Sequence, residues 1–134
     1  MLVFLDANVL FTAAHNPKGK AALVLSLGCE GFWQLVTSAY ALEEAQRNLR
    51  RKYPERVGKL EIWLPRIRIA PDPNGVPCPT GLSEKDWPIY RAAVGCGADI
   101  LLTGDIKDFG FLMNDPAKAN GLMIQTVSEF LTSL

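Results

Sequence analysis

Five short apolar runs recur along the chain: "LVFLD", "FWQLVTS", "RIRIA", "DILLT" and "GLMIQT". Their length, bounded by turn or helical residues, marks them as buried strands rather than helices. Helical stretches lie between them. Residues 18–28, "KGKAALVLSLG", predict a helix that stops near Gly28. Residues 39–52 predict a second, with an apolar stripe of Leu42, Ala45, Leu49 and, just beyond, Tyr53. Pro54 can open a further helix to about Leu64. "PDPNGVPCPTG", residues 71–81, is too rich in proline and glycine to be anything but a loop. A helix then runs through about Cys96, and "TVSEFLTSL" closes the chain with another. Strand and helix alternate about five times, which predicts an α/β sandwich around a mostly parallel sheet. In such sheets ligands bind beyond the carboxyl ends of strands, where the winding reverses. Strand order 3-2-1-4-5 would set the first and fourth strands side by side and bring Asp6 to Asp105. Order 2-1-3-4-5 would not, and the alternation alone does not choose.

At 134 residues one domain, residues 1–134, is expected, with a sizeable core. The three cysteines, Cys29, Cys78 and Cys96, are odd in number and form no CxxC pair, which argues against a disulfide framework or a zinc site and suits a reducing cytoplasm. The apolar start is cut short by Asp6 and Asn8, unlike a signal peptide, and no apolar run approaches the ~20 residues of a membrane span. His15 is the sole histidine, so chemistry falls to carboxylates. Net charge is zero, yet residues 47–68 hold Arg47, Arg50, Arg51, Lys52, Arg56, Lys59, Arg66 and Arg68 against only Glu55 and Glu61. Such a run is either a solvated face or a local phosphate-binding surface.

Acidic residues gather where the cleft would be. Asp6 and Asp105 end strands, Glu43 and Glu44 sit in the first turns of the helix after the second strand, and Asp86 starts the helix before the fourth. Each also has an architectural explanation: Asp6 as a cap, Ser83 with Asp86 as a capping box followed by Pro88, Glu43 and Glu44 as complements to a helix dipole, Asp105 as a turn residue. Architecture does not require all of them at one edge of one sheet. Two carboxylates about 4 Å apart repel by roughly 4 kcal/mol at an effective dielectric near 20. On the expectation that no lysine or histidine serves these acids, a hard divalent cation, Mg²⁺ or Mn²⁺, is the economical counter-ion.

Three segments carry a resemblance. "FLDANVL", "TSAYALEEAQRNL" and "DWPIYRAAVGCGADILLTGDIKDF" resemble the motifs of the PIN-domain family, specifically its small single-domain VapC-type toxin-like members, over nearly the whole chain. The resemblance implies strand order 3-2-1-4-5 and a Mg²⁺- or Mn²⁺-dependent ribonuclease. It matches Asp6, Glu44, Asp86 and Asp105 to the four family acids as catalytic and metal-holding residues. Helical periodicity leaves both glutamates off the core stripe, with Glu43 nearer to it; the spacing from Ser38 favours Glu44. Asn8, Ser38 and Thr103 match supporting polar positions, and Asp108 is an extra or outer acid. Trp87 and Pro88 are bulkier than the common pattern. Arg47, Arg50, Arg51 and Lys107 are the candidates for holding RNA phosphates. A cognate antitoxin and a homodimer are the expected partners, beside the RNA substrate.

Metal-assisted phosphodiester hydrolysis follows from these expectations. Two rivals belong to other classes. A haloacid-dehalogenase-like phosphatase would want an aspartate two residues after Asp6 as general acid, but Asn8 stands there, and a lysine before the late acids is not evident. A non-catalytic RNA-binding or interaction module would not need all four acids.

Overall fold

The central strands owe their burial to continuous apolar sequence. Val3, Phe4, Leu5, Leu101 and Leu102 expose no surface, as expected of parallel strands covered on both faces. A computed structural model describes residues 1–73 and 75–134; Asn74, within the expected loop of residues 71–81, lies outside the described residues. The strands are β1 (Leu2–Leu5), β2 (Gln34–Ser38), β3 (Ile67–Ala70), β4 (Ile100–Leu102) and β5 (Met123–Gln125). They form one all-parallel sheet in the order β3-β2-β1-β4-β5, flanked by helices in an α/β/α arrangement.

The order reverses between β1 and β4. The chain winds out through β2 and β3, then crosses back to β4 and β5, so right-handed crossovers place the helices before β3 and the helix before β4 on opposite faces. The register pairs Leu5 with Leu102. One step further, Asp6 and Thr103 leave the sheet as neighbours.

Helix α1 (Ala7–His15) begins directly after Asp6 and went unanticipated. Only the capping residue Asp6 separates it from the apolar strand, so periodicity blurs there. Helices α2 (Lys20–Cys29) and α3 (Ala39–Lys52) lie where the sequence predicts them. α2 ends at Cys29, one residue past Gly28, so the glycine stands near its stop as expected. A side chain there would meet the Leu35 side chain at 2.5 Å, so this glycine lets α2 lie close over β2. The buried stripe of α3 runs through Ala41, Ala45 and Leu49, with Leu42 half-buried.

The segment after Pro54 forms 3-10 turns, Pro54–Ile62 and Leu64–Arg66, rather than one α-helix. Gly58 and Pro65 are poor helix residues. A 3-10 turn, Glu84–Asp86, leads into α4 (Trp87–Gly95), where Pro88 occupies the first helical turn. Short α5 (Ile106–Phe109) follows β4, and α6 (Val127–Thr132) closes the chain. Phe130 of α6 packs edge-on against Trp33 at 4.9 Å, and the Trp33 indole donates to the Val24 carbonyl at 3.1 Å, tying α6 to α2. Among the described residues no helix is long and apolar enough to cross a membrane. All three cysteines are free.

Candidate active site

The reversal between β1 and β4 creates the cleft that the sequence calls for. Because Thr103 leaves β4 beside Asp6, its hydroxyl donates to Asp6 Oδ2 at 2.7 Å. The other oxygen, Asp6 Oδ1, accepts the Ala7 N–H at 2.6 Å and caps α1. Asp6 is therefore both a helix cap and a member of the acid group. Asn8, in the first turn of α1, straddles the same junction. Its amide nitrogen lies 3.3 Å from Asp6 Oδ2 and 3.4 Å from Thr103 Oγ1, and its Oδ1 accepts the Gly104 N–H at 2.7 Å. The Asp105 N–H in turn donates to Thr103 Oγ1 at 3.0 Å. One buried hydroxyl thus links the ends of both central strands.

The four sequence-selected acids line one small cavity of about 90 Å³, together with Asn8, Tyr40, Lys85 and Ile89. They arrive from four places: the end of β1, the second turn of α3, the turn before α4, and the loop after β4. Glu44 lines this cavity and is half-buried, whereas Glu43 is exposed. Ser38 is buried but spends its hydroxyl on the Ala41 N–H, capping α3. Ser83 makes no side-chain cap, so the S-x-x-D pattern is not a capping box here. Asp105 does serve architecture: its Oδ1 accepts the Asp108 N–H at 3.1 Å and caps α5.

Lys85 corrects the expectation that no lysine enters the acid group. Its ammonium reaches Asp108 Oδ2 at 2.7 Å, Asp105 Oδ2 at 3.6 Å and Asp86 Oδ2 at 3.7 Å. Adjacent to Asp86 in sequence, it looks like one more surface lysine at a helix start, and only the fold brings its ammonium to Asp105 and Asp108. The buried Oδ2 atoms of Asp86 and Asp108 have no hydrogen-bond partner, and the Lys85 contact with Asp108 is an ion pair.

Titration reflects this geometry. Burial pushes Asp6 up to about 6, although the Thr103 and Ala7 hydrogen bonds pull the other way and the charges of Glu44 and Asp105 add to the rise. Burial likewise pushes Asp86 up to about 7, assisted by contact with Asp108 and opposed by Lys85. The Lys85 ammonium holds Asp108 below its ordinary value, and Asp108 raises Lys85 in return.

The donor set fits a hard cation. Asp86, Asp105 and Asp108 can each offer one oxygen with all three within 4.8 Å of one another. Two of these carboxylates carry the orphaned oxygens, and oxygen-only donors suit Mg²⁺ or Mn²⁺. Asp6 and Glu44 adjoin the trio in the same cavity.

The basic run of residues 47–68 does not form one surface. Arg66 and Arg68 line a separate recess with Leu2 and Gln34, at the amino ends of the strands and away from the acids. On α3, Arg47 and Arg51 follow Glu44 on its own face, while Arg50 points about a third of a turn away. Lys107 is exposed on α5. Lys52, not singled out from sequence, borders the site beside Asn8 and Glu44.

No protein-family model matches the sequence, and no curated protein matches it. Solved structures do. The chain is similar to a chain of the VapBC2 complex from Rickettsia felis, solved bound to a DNA fragment from its promoter: 19% identity, TM-score 0.64, 94% of this chain and 98% of that one covered. It is also similar to a chain of VapBC-1 from nontypeable Haemophilus influenzae, at 16% identity and TM-score 0.60, with 96% and 99% covered. At these identities the likeness establishes the fold, and that fold is PIN-like.

Proposed function

We propose that the protein is a metal-dependent endoribonuclease of the VapC type, the toxin half of a toxin–antitoxin pair. The observation that carries the reading is the convergence of Asp6, Glu44, Asp86 and Asp105 from four separate elements on one cavity of about 90 Å³. Such a concentration of buried carboxylate is costly without a cation. Asp86 and Asp105 would hold the ion with Asp6, with Glu44 completing the set and Asp108 available beside them. Bound there, Mg²⁺ or Mn²⁺ supplies an activated water and neutralises charge on the phosphoryl group.

The chain's own residues do the remaining work. Thr103 fixes the Asp6 carboxylate with its 2.7 Å hydrogen bond and the Asp105 backbone with its 3.0 Å one, so both acids keep one geometry. Asn8 ties α1 to the Gly104 turn. It has no proton to give as a general acid, which disfavours the phosphatase reading even though Lys85 supplies a lysine near the late acids. Arg47, Arg51, Lys52 and Lys107 offer positive charge to flanking phosphates. The partner half of the reading comes from the VapBC complexes that share the fold.

The test is cleavage of single-stranded RNA with Mn²⁺ by wild type, Asp6→Asn and Asp105→Asn. Cleavage by wild type alone supports the reading, and equal activity in all three sinks it. Lys85 amid the acids is the observation a second reading would use, a metal-independent RNA-binding module. Binding without cleavage under any divalent ion would favour that module.

A further inference from the structure

We infer that the recess between α1 and α3 is a stacking subsite for one unpaired base of an RNA strand, next to the scissile phosphate. The inference rests on the nuclease reading and names what that site grips. The recess, a cavity of about 220 Å³, is lined by Asn8, Phe11, Glu44, Asn48 and Lys52. Asn8 and Glu44 also line the acid cavity, so the two recesses adjoin.

Phe11 is the centre of the argument. It lies on α1 one turn after Asn8, and it is only half-buried, whereas Phe4, Phe109 and Phe130 are buried almost completely. Its ring is flanked by two further aromatic rings. His15 and Tyr53 stand 6.0 Å away, themselves stacked at 4.0 Å with 18° between their planes. The Lys52 ammonium sits over the Phe11 ring, 5.7 Å from its centroid, on a flexible stem that an incoming base can displace toward the flanking phosphate. Asn48 is held by Arg51, which donates to its Oδ1 at 3.2 Å.

These are the parts that a nucleotide needs: an aromatic face for the base, an amide for its edge, and cations for its phosphate. The volume is below the roughly 300–1,000 Å³ of sites for whole drug-sized ligands, which suits one base. Placement supplies the reason for such a subsite. A polyanion approaching clustered carboxylates is repelled, and stacking beside them provides attraction that does not depend on charge. Every base has a π-face, so the subsite confers affinity for unpaired RNA with little sequence preference. A base within a duplex has no free face to offer.

The test measures fluorescence anisotropy of labelled RNA octamers on the full chain in Ca²⁺, for wild type, Phe11→Leu and Lys52→Gln, with Mn²⁺ cleavage followed in parallel. One octamer is intact, and a set carries a single abasic nucleotide at each position in turn. Phe11→Leu is expected to weaken the intact octamer about 5- to 100-fold, the worth of one base–aromatic stack. In wild type one abasic position should lose a similar factor, and that loss should vanish in Phe11→Leu. A misfolded variant would weaken every octamer alike, and the surface change Lys52→Gln is expected to weaken all of them modestly and flatten the salt dependence. Equal binding of every octamer by wild type and Phe11→Leu overturns the subsite, even if Mn²⁺ cleavage upholds the nuclease. Phe11-dependent, base-dependent binding with no cleavage upholds the subsite and overturns the nuclease. No RNA binding by wild type overturns the subsite as well.

Discussion

The two halves of the acid cavity are held in different ways. On the β1 side, Asp6 is 4% exposed, and neutral donors satisfy its oxygens: the Ala7 N–H and the fully buried Thr103 hydroxyl. On the other side, Asp86, Asp105 and Asp108 gather around Lys85, whose side chain is 67% exposed, and two oxygens there lack hydrogen bonds. The first half keeps its geometry by covalent register and hydrogen bonding. The second keeps its geometry by charge, and a flexible lysine is a provisional counter-ion. The contrast assigns one half to positioning and the other to receiving a cation.

The largest expected effect separates activity from stability. Asp6→Asn should reduce RNA cleavage at least about 100-fold, given a metal contribution of several kcal/mol to the transition state. The same change removes a buried charge whose ionisation burial already disfavours. Its metal-free melting temperature at neutral pH should therefore equal or exceed that of wild type. Asp105→Asn should be equally inactive. A stability loss in Asp6→Asn as large as its activity loss would mean that the carboxylate is structural.

Next in size is the pH dependence of the metal-free protein. An unfolded aspartate titrates near its ordinary 3.8, whereas in the fold Asp6 holds its proton to about 6 and Asp86 to about 7. The folded state thus binds more protons between those values, so stability is greatest at the acid end of that window and falls as pH rises through it. Asp6 alone contributes up to about 3 kcal/mol of this fall. Asp108 and Glu129, held below their ordinary values, act in the opposite sense, but only near and below about pH 4.5. Melting curves from pH 5 to pH 7.5 in EDTA should show the decline, and excess Mn²⁺ should abolish it. Parallel declines with and without Mn²⁺ would rule out a cation at these acids.

What could be read in advance divides along the same line. Strands stood out because parallel, doubly covered strands are apolar throughout, and α3 stood out because its caps and stripe are local features. Asp6 and Asp105 were visible as carboxylates ending such runs. Strand order was not fixed by the alternation, since it depends on which helices cover which face. Helix α1 merged with the strand before it. Lys85 was missed because its partners lie at Asp105 and Asp108, about twenty residues away. Phe11 was missed, and Lys52 stood only as one member of the basic run, because the two meet only where α1 crosses α3. Local chemistry shows in sequence, whereas counter-ions and stacking partners from distant elements do not.

A smaller effect probes the hydrogen-bonded half. Thr103→Val keeps the side chain's shape but removes both the donor to Asp6 and the acceptor for the Asp105 N–H. Leaving these buried groups unpaired should cost about 1–3 kcal/mol in chemical denaturation. Loosening the acids should reduce cleavage about 10- to 100-fold, as for other supports of metal ligands. Thr103→Ser, which keeps the hydroxyl, should recover most of the activity. Failure of serine to rescue would show that the methyl group's packing, not the hydroxyl, supports the site.

Lys85→Met carries the smallest expected effect and sharpens the comparison most. Exposed ion pairs contribute little to stability, so the metal-free melting temperature should fall by only a few degrees. Removing the ammonium leaves the carboxylates of Asp86, Asp105 and Asp108 with no internal cation, and a divalent ion then binds without displacing one. Mn²⁺ should therefore bind several-fold more tightly to Lys85→Met than to wild type by titration calorimetry, and should restore more stability to it. If the ammonium instead completes the site alongside the metal, the variant would bind Mn²⁺ no better than wild type and cleave RNA more slowly at saturating Mn²⁺. Under the displacement account the affinity rises and the saturated rate holds, whereas under the alternative only the rate moves. One variant measured both ways thus decides whether the charge-held half is a vacancy filled by lysine or a site that uses it.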